Sequence, residues 1–213
     1  PRIIEASRRL PEGTAFGLHV HAASSRIGFR AWENAVVWCV EQGQRMEHGG
    51  SRPVECLDLG GGWFSDDWSS ELVPFLPELV EMAKKALPCL REIILEPGKA
   101  LVQSAMAVVS RVLEVRTTPG DVREAVVDAS IAELPEARMY PHPVLWRRQP
   151  SGPWRPLERG VDTLLGRLCI EQDVLATDIA LPHETLPGDL VAIGEAGAYD
   201  ASMAYTFGEG RTL

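Results

Sequence analysis

The chain has 213 residues, which at ~150 residues per domain allows one large domain or two small ones with a real apolar core. Aliphatic and aromatic residues make up 45% and charged residues 24%, and no apolar run approaches the ~18 residues of a membrane helix, so membrane-spanning, collagen-like and disordered classes are excluded. The balance of 21 basic against 30 acidic residues gives a net charge of -9, which repels phosphate backbones and argues against nucleic acid as a main partner.

The opening PRIIEASRRLPEG (1–13) lacks the pattern of a secretory signal and reads as a helix inside a domain. Cys39, Cys56, Cys89 and Cys169 show no CxxC spacing, so neither a zinc knuckle nor a disulfide framework is suggested, and reduced thiols in a cytoplasm are the expectation. Residues 14–21 (TAFGLHVH) read as a strand, and 29–46 as a helix with Trp32, Ala35, Val36, Cys39 and Val40 on one face. A second strand over 54–59 runs into Gly60, Gly61 and Gly62. A second helix over 71–87 follows the cap candidates Ser69 and Ser70 and is stopped by Pro88. A third strand over 92–95 is closed by Glu96-Pro97-Gly98. This alternation is the βαβα signature of a parallel sheet or barrel.

After Gly98 the texture changes. Residues 105–115, 123–128, 189–193 and 198–206 read as strands separated by Pro- and Gly-rich turns, an antiparallel β region, and 147–159 (RRQPSGPWRPLER) reads as an exposed loop. A boundary near 100–106 gives two domains, 1–104 and 105–213.

In parallel β/α units, chemistry collects just beyond the C-terminal strand ends. Three such ends carry suggestive residues here: His21, the Gly60–Gly62 turn, and Glu96 with Lys99 behind it. Glycines admit backbone N–H groups close to a phosphate, Lys99 adds positive charge, Glu96 can accept from a protonated ring nitrogen, and His21 can lie flat on a ring.

Six ordered blocks, GLHVHAASS (17–25), LDLGGGW (57–63), EPGKALVQSA (96–105), VVDAS (126–130), GRLCIEQDVLA (166–176) and GDLVAIGEAGAY (188–199), resemble those of the fold-type III PLP-dependent decarboxylases, the ornithine, diaminopimelate, arginine and carboxynorspermidine enzymes. The resemblance implies the last strands of a (β/α)8 TIM-type barrel followed by an antiparallel β-domain, as in alanine-racemase-like proteins. It implies pyridoxal 5'-phosphate as cofactor, an amino-acid substrate decarboxylated to an amine and CO2, and a homodimer with the site at its interface. It places His21 on the cofactor ring, Ser24, Gly60, Gly61, Gly62, Gly98, Lys99 and Tyr199 around the phosphate, and Glu96 on the pyridinium nitrogen. Cys169 becomes the acid that reprotonates the α-carbon, arriving from the neighbouring subunit, with Asp128 and Asp173 near the substrate.

The sequence departs from the family pattern at several points. Lys99 replaces an arginine, and Ile170 stands where an acidic residue usually follows the cysteine, with Glu171 next. Ala23-Ser24 replaces Gly-Ser, and Phe207-Gly208-Glu209-Gly210 replaces Phe-Asn-Gly. The lysines are Lys84, Lys85 and Lys99, and none matches the family's Schiff-base lysine, which belongs to an earlier barrel strand. The chain thus reads as the back half of a barrel plus a β-domain. Two other readings compete. One is a non-catalytic chain acting through dimerisation. The other is a metal-dependent hydrolase built on the HxH pair His19 and His21, with His142, His183 or Asp128 as further ligands.

Overall fold

The computed structural model describes residues 2–22, 28–149 and 151–207, and contacts divide the chain into two compact units, 1–101 and 102–213. In the first unit, helix α1 (Arg2–Arg8) precedes three strands, β1 (Gly17–His19), β2 (Cys56–Gly61) and β3 (Glu92–Glu96), which form a parallel sheet in the order β1-β2-β3. Leu18 faces Leu57, and Leu57 faces Ile93. The β1–β2 crossover is α2 (Phe29–His48), which buries Trp32, Val36, Cys39, Val40 and Gly43 along one side. Trp32 is fully buried, its indole N–H donates to the Leu59 carbonyl at 3.0 Å, and its ring meets Trp63 edge-on with centroids 5.3 Å apart.

The second crossover begins earlier than its cap candidates suggest. Ser65–Asp67 is already helical, with the Phe64 N–H donating to the Asp67 carboxylate at 3.4 Å, and a π turn (Trp68–Leu72) leads into α3 (Val73–Ala86). Ser69 and Ser70 are therefore not caps. They lie inside the π turn, and their hydroxyls donate back to the carbonyls of Ser65 and Asp66. Pro74 and Pro77 have no N–H to continue the ladder, and the widened turn lies just ahead of them.

After α4 (Gly98–Val102), the second unit is one seven-stranded sheet. Its strands are β4 (Val108–Thr117), β5 (Arg123–Val127), β6 (Val144–Arg147), β7 (Arg155–Pro156), β8 (Arg159–Leu165), β9 (Val174–Ile179) and β10 (Leu190–Ile193), in the order β7-β6-β10-β4-β5-β8-β9. The expected antiparallel sheet needs one correction, because β5 and β8 run parallel, with Ala125 opposite Leu164. The segment between them carries β6 and β7, long enough to return the chain in the same direction. Within the stretch expected as a loop, β7 pairs with β6, and Pro156 is tolerated because β7 is an edge strand. The expected strand over 198–206 is instead a short helix, α5 (Asp200–Met203). Tyr199 adopts φ 66, which breaks the extended path, and buried Asp200 accepts from the Glu136 N–H at 2.9 Å. The core of this unit gathers Trp146, Val112, Val127, Leu164, Leu175, Val191 and Ile193. Among the described residues no helix is long and apolar enough to cross a membrane.

Replacing Trp32 with Leu removes both the ring packing and the bond to Leu59, so the first unit should lose about 3 kcal/mol, read as an earlier urea midpoint for the purified chain.

Candidate functional site

Parallel strands deliver their C-terminal ends to one edge of the first unit. The Val20 N–H still bonds the Asp58 carbonyl at 2.9 Å, so the β1 path stays extended past His19 and carries His21 forward. On the middle strand, Gly60 and Gly61 present no side chain. A Cβ on Gly61 would lie 1.9 Å from the Glu96 carbonyl oxygen, and one on Gly60 would lie 2.8 Å from His21 Nδ1. Gly60 also sits at φ 66 and Gly62 at φ 93, a region that side chains disfavour. The bare middle strand lets groups from β1 and β3 meet across it. His21 Nδ1 lies 3.7 Å from Glu96 Oε2 and accepts from the Gly61 N–H at 3.4 Å, while Asp58 Oδ1 accepts from the Gly60 N–H at 3.0 Å. His21 and Glu96 are each about half exposed, at 51% and 48% of side-chain area, so the pair faces solvent.

The three lysines differ. Lys84 and Lys85 are exposed on α3, whereas Lys99 is buried in α4 with its ammonium 5.0 Å from the centre of the Phe64 ring. That cation–π contact offsets part of the cost of burying its charge. Phe64 is a site neighbour that sequence reasoning missed, and its signal is an aromatic residue two positions beyond the glycine run. Gly98 starts α4 in open space, with nothing within 4 Å of a Cβ. Ser24 lies outside the described residues.

In the second unit, Cys169 is exposed on a turn between β8 and β9, lining a cleft of about 410 Å³ with Arg116, Arg167, Ile170 and Glu171. Asp173 closes the base of this turn. It is 3% exposed, one oxygen accepts from the Ile131 N–H at 2.8 Å, the other from the Leu168 N–H at 2.6 Å, and Gly166 lies flat on the carboxylate, where a Cβ would sit 2.3 Å away. Burial raises this carboxyl above the ordinary aspartate value, opposed by the two backbone N–H groups and by Arg167. Both oxygens are thus taken up in shaping the Cys169 turn. Ile170 packs on the core while Cys169 and Glu171 are exposed. Asp128 follows the last residue of β5 and reaches across to β4: its Oδ1 accepts from Ser110 Oγ at 2.6 Å and from the Arg111 N–H at 2.7 Å. Tyr199 is 51% exposed at the N-terminus of α5. His19, His21 and Glu96 are brought together, but His142, His183 and Asp128 are not part of that group. Instead, His142 is buried and bonded through Nδ1 to the Gly194 carbonyl at 2.8 Å.

A parallel β/α unit with a side-chain-free strand end, joined in sequence to a mixed β sheet, is the architecture in which known proteins are found to match. The family model described as "Pyridoxal-dependent decarboxylase, C-terminal sheet domain" matches residues 22–197. The chain belongs to that family. Protein TabA of Pseudomonas amygdali pv. tabaci is 30% identical over 201 residues, 90% of this chain and 46% of its own length. Diaminopimelate decarboxylase of Deinococcus radiodurans is 31% identical over 193 residues, again 90% of this chain and 46% of its own length. The crystal structure of diaminopimelate decarboxylase from M. jannaschii in co-complex with L-lysine superposes with a TM-score of 0.76 at 22% identity, covering 98% of this chain and 48% of that one. The chain therefore spans about half the length of the relatives it matches.

Gly61→Ala should separate the ends of β2 and β3 and cost about 3 kcal/mol or more, while Gly98→Ala, in open space, should stay within about 0.5 kcal/mol; urea unfolding of the two variants checks the contrast. Native-state titration with a thiol reagent should count two fast thiols, Cys89 and Cys169, since burial raises Cys39 and Cys56 above the ordinary thiol value. Cys169→Ser should remove one of the two.

Proposed function

We propose that this chain supplies the non-covalent cofactor cradle and the proton donor of a PLP-dependent amino-acid decarboxylase of the ornithine/diaminopimelate class, acting as a homodimer. The observation that carries this reading is the bare β2 end, across which His21 and Glu96 meet at 3.7 Å. The residues present fit the cofactor's ring and phosphate. Gly60 and Gly61 carry no Cβ, which lets the ends of β1 and β3 close in on β2 and brings His21 beside Glu96. Gly62, Gly98 and Tyr199 are assigned to the same phosphate on the family resemblance, as is Lys99, whose buried head offers a positive charge at that end. On the family resemblance His21 would stack on the ring, and Glu96 would accept from the ring nitrogen and keep it protonated.

When bound, PLP supplies an electron sink for the charge left as the α-carboxylate departs as CO2. The rest falls to side chains of this chain. Cys169, on an exposed turn, delivers a proton to the α-carbon from the neighbouring copy, a task suited to a thiol. Asp173 holds that turn and acts as a positioning residue, while Asp128 stands at the substrate side. The covalent lysine comes from a barrel segment other than the residues of this sequence, since Lys84 and Lys85 are exposed on a helix and Lys99 is buried and assigned to the phosphate. The first unit is accordingly read as the last part of a TIM-type barrel, 1–104, and the second as the β-domain, 105–213. The same lysine placement favours the rival reading, a non-catalytic chain that pairs with another.

The probe that isolates the cradle is 4-deoxypyridoxine 5'-phosphate, which has no aldehyde and forms no bond to lysine. The chain should bind it in calorimetry, and Glu96→Gln should weaken binding about tenfold, near 1.4 kcal/mol. Absence of binding at millimolar probe refutes the cradle. Joined to the lysine-bearing segment, the protein should release CO2 from a diamino acid. There Cys169→Ala should slow turnover at least ~100-fold with cofactor binding intact, whereas the pairing-only reading requires no CO2 release at all.

A further inference from the structure

The strand-end cluster contains one residue that the decarboxylase reading leaves without work. His19 is exposed, sits two positions before His21 on the same extended segment, and so points to the same side of it. The two rings lie 6.4 Å apart at 76° to each other. One donor atom from each of His19, His21 and Glu96 lies within 4.8 Å of the others, the one such group among the described residues. We propose that His19, His21 and Glu96 form a binding site for a single borderline divalent transition-metal ion such as Co²⁺, Ni²⁺ or Zn²⁺.

Donor chemistry and geometry carry the proposal. Two imidazole nitrogens and one carboxylate oxygen suit borderline ions and not Ca²⁺ or Mg²⁺, which take all-oxygen sets. Bond lengths of about 2.1 Å to nitrogen and oxygen place the ligands of a tetrahedral ion about 3.4 Å apart. All three side chains are exposed, and closing from 4.8 Å moves His21 against one long bond, that from the Gly61 N–H at 3.4 Å. What fixes their proximity is the backbone. β2 separates β1 from β3, and Gly60 and Gly61 put nothing between His21 and Glu96, so the ligands from the outer strands converge before any ion arrives. Three ligands leave at least one position for water or for a donor of a small molecule. The ion would take the carboxylate and imidazole assigned above to the cofactor ring, so the two occupants exclude each other. The metal site itself stands on the geometry and does not depend on the decarboxylase reading.

The test uses the whole purified chain, freed of pyridoxal phosphate, titrated with Co²⁺ and followed by calorimetry and absorbance. The expected result is one Co²⁺ per chain with a d–d spectrum of nitrogen and oxygen ligands and no thiolate-to-cobalt charge-transfer band, which sets the site apart from the four cysteines. His19→Ala and Glu96→Gln should each weaken binding at least tenfold, while His48→Ala, on the exposed end of α2, should leave it unchanged. No saturable binding below millimolar Co²⁺ overturns the proposal, as does binding that carries a thiolate band or that survives both His19→Ala and Glu96→Gln.

Discussion

The first unit depends on a single close approach: Gly61 lies so near the Glu96 carbonyl that no side chain can exist between them. A parallel sheet normally fills the space above its strand ends with side chains from every strand. Here the middle strand contributes none over Gly60–Gly62, and the outer strands face each other over bare backbone. The result is a floor of close-packed backbone, its Gly60 and Gly61 N–H groups held by Asp58 and His21, with a histidine on one wall and a carboxylate on the other. Everything argued about ring, anion or metal binding follows from that floor.

The two units achieve their ends by different physics. In the first, large side chains pack beneath the sheet, with Trp32 tied to Leu59 and stacked edge-on against Trp63, so that the backbone of β2 is held from below while its far end stays open. In the second, carboxylates tie segments together beside an apolar core. Asp173 gathers two backbone N–H groups, Asp128 takes a hydroxyl and an N–H, and Asp162 bridges the Arg123 and Leu181 N–H groups at 2.9 Å each. Each of these carboxylates is held in place by the donors around it, Asp162 and Asp173 in buried positions, and the segments that supply those donors are fixed relative to one another.

Much of this was legible in the sequence. The three parallel strands and both crossover helices follow from apolar periodicity, and the glycine run marks the floor directly. What failed had local causes. Ser69 and Ser70 carry the chemistry of caps, but the same hydroxyls bond carbonyls one turn back, and only the path of the π turn decides which. Residues 198–206 alternate like a strand until Tyr199 takes a left-handed φ. The parallel β5–β8 pairing depends on a return through β6 and β7 that no local pattern announces. That both oxygens of Asp173 accept backbone N–H groups depends on a contact with Ile131 forty-two residues away, which no local pattern announces. The contact of Lys99 with Phe64 likewise joins two separate segments.

The anchoring of the Cys169 turn at its base has an evolutionary corollary. Since Asp173, Gly166 and the Ile131 and Leu168 amides fix the turn from below, the tip residues Glu171 and Gln172 are exposed and carry little of the fold's stability. Selection can rewrite such a tip one side chain at a time, changing its charge and shape at little cost in stability while the thiol stays in register.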